Sequence, residues 1–226
     1  MPGNLDRASL ARCVDHTLLR PEATLADVEA LCAEAGRLGV RTVCISPSFL
    51  PLEPGLLPSG VGLCVVAGFP SGAHQPAVKA YEAERAVQQG AAEVDMVVNL
   101  GHVLTGQWVA VEREIAGVRR VVGSAVLKVI LESALLDEAC LAQACRVAVA
   151  AGADFVKTST GFHPAGGATV EAVRIMREAV GDRAGVKASG GIRTADVALA
   201  MLAAGATRLG MSATAAVLDG LATSPR

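Results

Sequence analysis

Short apolar runs rich in β-branched residues alternate with longer amphipathic runs along the whole chain. The short runs predict strands at residues 13–19, 41–46, 62–67, 93–99, 126–132, 154–159, 186–189 and 208–211. Their starts are about 20 to 35 residues apart, the spacing of strand–helix–strand units in a parallel sheet. The runs between them predict helices over 24–38, 75–89, 108–121, 137–151, 169–180 and 194–204. In the first, Leu25, Val28, Leu31, Cys32, Ala35 and Leu38 fall close to one helical stripe. Thr24 and Asp27 have the spacing of a capping box, and Gly39 supplies a left-handed stop. Segment 48–58 is rich in Pro and Leu and leaves room only for a short helix. Eight such units fit an α/β fold of one closed (β/α)8 TIM barrel better than an open, doubly wound sheet. No G-x-G-x-x-G follows the first strand, which argues against a dinucleotide domain. One domain is expected over 1–226, with 1–10 as an N-terminal segment and 222–226 as a short tail.

A weak repeat sharpens this picture. Gly39, Gly90, Gly152 and Gly205 each precede a strand, and five residues after them come Cys44, Asp95, Lys157 and Gly210. Glycine is a common helix stop, which explains the glycines alone. It does not explain polar or special residues at one phase of otherwise apolar strands. Parallel strands covered on both faces should be almost wholly apolar. Alternate side chains share a face, so Asp95 and Lys157 are expected on the same side of the sheet.

Composition narrows the chemistry. Hydrophobic residues make up 52% of the 226 and aromatic ones only 3%, so the core must be built from Ala, Val and Leu. A net charge of -2 argues against nucleic acid or a membrane surface held by bulk electrostatics. No uncharged apolar run reaches about 18 residues, so no membrane span is expected. Residues 1–10 carry Asp6 and Arg7 and do not read as a signal peptide. The six cysteines form no CxxC pair and sit in apolar runs, which suits a reducing cytoplasm. Of 20 Lys and Arg, only four are Lys. Lys128, Lys157 and Lys187 lie in the apolar runs VLKVILE, DFVKTST and GVKASGG. One such lysine is as readily a snorkelling or ion-paired side chain. Three in one small domain suggest chemistry, because a buried lysine can lose its proton and an arginine cannot.

Active sites of TIM barrels lie at the C-terminal strand ends. Those ends carry Asp15, Cys44, Asp95, Asn99, Lys128, Glu132, Lys157 and Lys187. His16, His74, His102 and His163 form no HExxH-like pair, and His16 reads as a hydrogen-bond partner of Asp15, so no metal is expected. No GxSxG is present. An amine nucleophile remains. A lysine near its ordinary value of about 10.4 is protonated at neutral pH; burial and a nearby like charge both lower it. Lys157 and Lys187, on consecutive strands, are the candidate pair. A free amine attacks a carbonyl to give an iminium ion, and Asp95 is the carboxylate for proton transfer. Residues 189–193 (SGGIR) and 210–212 (GMS) follow the last two strands, where barrels commonly hold phosphate. Gly-Gly can be a simple tight turn. With Thr160 and Gly161 after the sixth strand, a phosphate cradle is the better reading.

The motifs DHTLL at 15–19, VCISPSF at 43–49, GFPSG at 68–72 and EVDMVVNLG at 93–101 occur in order with LKVILE at 127–132, FVKTSTGF at 155–162, KASGGIR at 187–193 and RLGMS at 208–212. In these motifs the chain resembles the deoxyribose-phosphate aldolase family from about Ala11 to Leu218. The resemblance implies a class I aldolase that needs no metal or other cofactor. It splits 2-deoxy-D-ribose 5-phosphate into D-glyceraldehyde 3-phosphate and acetaldehyde in cytoplasmic deoxynucleoside breakdown. Lys157 would be the Schiff-base lysine. Lys187 would be the second lysine, which lowers its pKa and exchanges protons. Asp95 would relay protons through a water. Asp15 and Lys128 would join the polar floor, and Cys44 would line the aldehyde pocket. Gly161, Gly190, Gly191, Gly210 and Ser212 would hold the phosphate. The implied partners are the phosphosugar and acetaldehyde, not nucleic acid or membrane; a homodimer is one option for assembly.

The chain departs from the family at Ser46, where Asn is usual, and at Ser71, where Leu is common. Met211 and Ala213 stand where a small residue and a second Ser are usual, which removes one hydroxyl from the phosphate site. The stretch 163–165 is less typical, and the end at Ser224, Pro225 and Arg226 offers no terminal tyrosine to the site. Another Schiff-base barrel, a transaldolase or keto-acid aldolase, would keep Lys157 and use a different donor. A silent phosphosugar-binding barrel would keep the glycine loops without the Lys157, Lys187 and Asp95 set.

Overall fold

The computed structural model describes residues 6–221. Eight parallel strands pair in chain order, and the last returns to the first to close a barrel. They are β1 (Val14–Leu18), β2 (Thr42–Ile45), β3 (Gly62–Ala67), β4 (Glu93–Val97), β5 (Val126–Ile130), β6 (Phe155–Lys157), β7 (Gly185–Ser189) and β8 (Arg208–Met211). The fold is the TIM barrel expected from the alternation. Nine helices surround it among the described residues: α1 (Arg7–Ala11), α2 (Leu25–Leu38), α3 (Pro76–Gln88), α4 (Leu100–Leu104), α5 (Trp108–Val122), α6 (Glu138–Ala150), α7 (Val170–Val180), α8 (Ala195–Ala203) and α9 (Thr214–Gly220). The six long ones lie close to their expected spans. The short α1, α4 and α9 were not expected, because a helix of two turns or fewer shows no stripe. The tail expected at 222–226 lies outside the described residues, as do residues 1–5 of the expected N-terminal segment.

Local signals act as they should. Thr24 and Asp27 form the capping box of α2, and Gly39 ends it at φ 68. Segment 48–58 begins in a single 3₁₀ turn, Pro47–Phe49. Several strands stop earlier than expected. β4 ends at Val97 because Asn99 leaves the sheet to cap α4, its side chain accepting the His102 N–H. β5 ends at Ile130, and Glu132 turns to φ 54.

The two faces of the sheet differ sharply. Val43, Val65, Val94, Val129, Val156, Val186 and Leu209 belong to the one large core formed with the helices. Dense burial of such side chains is the main favourable term in folding. On the inner face, Cys44, Cys64 and Val66 form a separate small cluster. The same face also carries the charged side chains of Asp15, Glu93, Asp95, Lys128, Lys157, Lys187 and Arg208. Among the described residues, no helix is long and apolar enough to cross a membrane.

Candidate active site

Asp15 on β1 and Asp95 on β4 sit far apart around the barrel, yet Lys187 Nζ donates to both, at 2.5 Å and 2.7 Å. Only side chains pointing inward can meet this way. Lys157 Nζ donates to the same Asp95 Oδ2 at 2.6 Å. Two lysine nitrogens therefore share one oxygen, within the reach of about 4–6 Å over which like charges act. Lys128 Nζ donates to Asp95 Oδ1 at 2.7 Å and pairs with Glu93 at 2.5 Å. The structure thus brings together Asp15, Asp95, Lys128, Lys157 and Lys187.

Two partners were not singled out from the sequence. Arg208 donates to Asp15 at 2.6 Å and to Glu93 at 2.8 Å, with its guanidinium 5.2 Å from the Phe155 ring centre. Glu93 and Arg208 lie two residues before Asp95 and Gly210. The same strand phase, followed one step toward the strand start, would have found them.

Burial opposes the charges of Asp15, Asp95, Lys128 and Lys187, and their ion pairs overcome it. Burial raises the Asp95 carboxyl, but Lys128, Lys157 and Lys187 together hold it well below the usual range. Asp15 is likewise held low, against burial, by Lys187, Lys128 and Arg208. Burial lowers Lys187, yet the carboxylates of Asp15 and Asp95 prevail and raise it. Lys128 is raised for the same reason, with Asp95 as the strongest partner. Lys128 and Lys187 are therefore fixed cations at neutral pH.

These directions set how stability depends on pH. Depressed carboxylates stabilise above the unfolded value of about 3.9 and cease to as pH falls through their folded values. Raised lysines stabilise below about 10.4 and cease to only above it. His16 adds a smaller loss below about 6.5, because burial lowers it despite Glu34. The urea midpoint should dip slightly as pH falls below about 6.5 and fall steeply below about 4. A midpoint that holds steady from about pH 4 down to 2 would mean that these carboxylates are not held low.

A cavity of about 380 Å³ opens at the C-terminal strand ends. Lys157 lines it, alone among the lysines, together with Thr17, Thr160, Gly161, Ser189, Gly190, Gly191, Gly210 and Ser212. Gly161, Gly190 and Gly191 have φ of 84, 87 and 82, a region that favours glycine. A Cβ on Gly190 would lie 2.9 Å from the Gly167 Cα, so only bare backbone lets these loops touch. Gly210 also clears space for the Lys187 stem, since a Cβ there would come within 2.9 Å of the Lys187 Cε. Arg193 lines the cavity as well and was not singled out as a site residue.

Other expected residues land elsewhere. Cys44, expected to line the aldehyde pocket, is not among the cavity-lining residues; it is fully buried with Cys64 and Val66, packed against Leu19 and Phe69. His16 does not pair with Asp15, because successive strand residues face opposite sides. It bonds Thr214 at 2.8 Å and Glu34 at 3.1 Å, tying β1 to α9 and α2. Lys79 is as buried as the other lysines, but it lies on α3 and pairs with Glu114 at 2.5 Å. Cys44, Cys64 and Asp95 place potential metal-ligand atoms within 4.8 Å, as do Asp15, Cys64 and Glu93. Their carboxylates already hold lysine and arginine cations, so a metal ion would have to displace these.

Comparison with known proteins places this geometry. The family model described as DeoC/LacD family aldolase matches residues 10–221. A deoxyribose-phosphate aldolase of Mycobacterium avium is 63% identical over 221 residues, covering 95% of this chain and 98% of that protein. Another, of Kocuria rhizophila, is 59% identical over 218 residues, covering 96% and 99%. The solved tetrameric deoxyribose phosphate aldolase of Aeropyrum pernix superimposes at a TM-score of 0.87 with 37% identity, covering 97% of this chain and 95% of that one.

Proposed function

The chain belongs to the DeoC/LacD family of aldolases, and from that membership we infer that it is a metal-independent class I lyase that reversibly splits 2-deoxy-D-ribose 5-phosphate into D-glyceraldehyde 3-phosphate and acetaldehyde through a Schiff base on Lys157. The observation that carries the assignment to Lys157 is its place: it is the one lysine at the cavity, sharing a carboxylate oxygen with a second lysine.

The interior holds the cations Lys128, Lys157, Lys187 and Arg208 against the carboxylates Asp15, Glu93 and Asp95. One buried positive charge is therefore uncompensated, which is costly. Loss of a proton from Lys157 removes it. The free amine adds to C1 of the open-chain sugar, and water leaves to give the iminium. Removal of the C3 hydroxyl proton then breaks the C2–C3 bond, and the electron pair passes to the iminium nitrogen. D-Glyceraldehyde 3-phosphate departs, leaving an enamine. A proton added at C2 restores the iminium, and water hydrolyses it to acetaldehyde and the amine. Asp95 holds a weak grip on protons, so it passes them on through a water rather than keeping them. Lys187 supplies the fixed charge beside the amine and a donor for the exchange. Asp15 and Lys128 hold this frame rigid, and Cys44 borders it from within the barrel.

The phosphate sits against Gly161, Gly190, Gly191, Gly210 and Ser212. Ser212→Asp sets a negative charge against it, and KM for the phosphosugar should rise by about tenfold or more. An unchanged KM in steady-state assays would remove the phosphate from this wall. We infer further that the chain is one domain acting in the cytoplasm on deoxynucleoside breakdown, with a homodimer as the assembly to be measured by sedimentation.

A further inference from the structure

Glu132 is a buried carboxylate for which the reaction above has no use. It is 1% exposed and stands at φ 54, the one residue other than glycine at positive φ among the described residues. Such a backbone persists only where its surroundings over-determine it, and these positions cluster at functional sites. Its side chain reaches from the end of β5 to the loop after β6. Both carboxylate oxygens accept the Thr160 N–H at 3.3 Å, and Oε2 accepts the Thr160 hydroxyl at 2.6 Å. That hydroxyl in turn accepts the Phe162 N–H at 3.1 Å. The next residue, Ser133, donates its N–H to Thr158 O at 2.8 Å. Gly161 therefore lies between two anchored neighbours, and all three loop residues line the cavity.

We propose that Glu132 is a positioning residue for substrate phosphate: it fixes the 160–162 loop from behind, so that the Gly161 wall is preformed when the phosphorylated end arrives. This rests on the phosphate reading given above. Glycine at φ 84 is free to turn its amide elsewhere, and a short loop of this kind needs an anchor to act as a rigid anion site. Glu132 does not touch the amine network. None of its hydrogen bonds with Thr160 involves Lys157, Lys187 or Asp95.

The test separates phosphate recognition from amine chemistry. In Glu132→Gln, an amide group faces the Thr160 donors. KM for 2-deoxyribose 5-phosphate and the inhibition constant of inorganic phosphate should rise together by about tenfold. Trapping of acetaldehyde on Lys157 by borohydride, which involves no phosphate, should fall by no more than about threefold. Glu132→Asp keeps the charge but falls short of Thr160, and should give the same split. Equal losses in both readouts, or no loss in either variant, would overturn the proposal. Wild-type enzyme that traps acetaldehyde but ignores inorganic phosphate would sink the phosphate reading, and this proposal with it.

Discussion

Lys157→Arg is expected to lower cleavage of 2-deoxy-D-ribose 5-phosphate by roughly four to six orders of magnitude. Arginine keeps a donor for Asp95, but its charge cannot be shed, so the uncompensated buried charge becomes permanent. It never offers a neutral amine. Lys157 borders the cavity, which leaves room for the larger head group, so the barrel should still fold, with a lower thermal midpoint. In the wild type, acetaldehyde with borohydride should attach one ethyl group, at Lys157. Lys79, Lys128 and Lys187 are fully buried and held by carboxylates, so they should stay unlabelled. Peptide mass spectrometry reads both results. A label on Lys187 instead, or an arginine variant that still cleaves the sugar phosphate, would move the nucleophile elsewhere.

Lys187→Leu should lose turnover at pH 7 by about 10²- to 10⁴-fold. From the sequence alone this variant is expected to retain its fold. The structure adds a cost in stability. Lys187 is the link between Asp15 and Asp95, and removing it takes one cation from each of two buried carboxylates. Breaking a buried pair in this way costs about 3–5 kcal/mol. Arg208 still holds Asp15, and Lys128 and Lys157 still hold Asp95, so the barrel should fold with a lower urea midpoint. Because Lys187 is raised on folding, its contribution is present below about pH 10.4 and lost only above it. The gap in stability between wild type and variant should therefore be constant across neutral pH and close only in strong alkali. The residual rate should climb with pH, since hydroxide replaces the lost push on the neighbouring amine. Full turnover at pH 7 would contradict the paired-lysine account.

The strands were legible because short apolar runs alternate with amphipathic helices, and four of those runs follow a helix-stopping glycine. Inward-facing charge was legible as well: Asp95 and Lys157 stand at one phase of strands that should otherwise be apolar. Glu93 and Arg208 share that phase, but they stand at the strand starts, where an exposed charge is unremarkable. Lys79 was hidden for another reason. A lysine on a helix reads as surface, and its partner Glu114 is 35 residues away on α5. Cys44 was placed on the correct face of its strand; its cover by Leu19 and Phe69 comes from two other loops.

Periodicity and residue type, which are local, determined the barrel, its strand phase and the identity of the amine-bearing side chains. Tertiary structure decided which charges meet. Closing the sheet brings β1, β4 and β7 to a common axis, where Lys187 spans two carboxylates that lie 80 residues apart along the chain. It also decided that Lys157, of four buried lysines, borders the cavity, because depth below the barrel mouth is a property of the closed sheet and of no single strand.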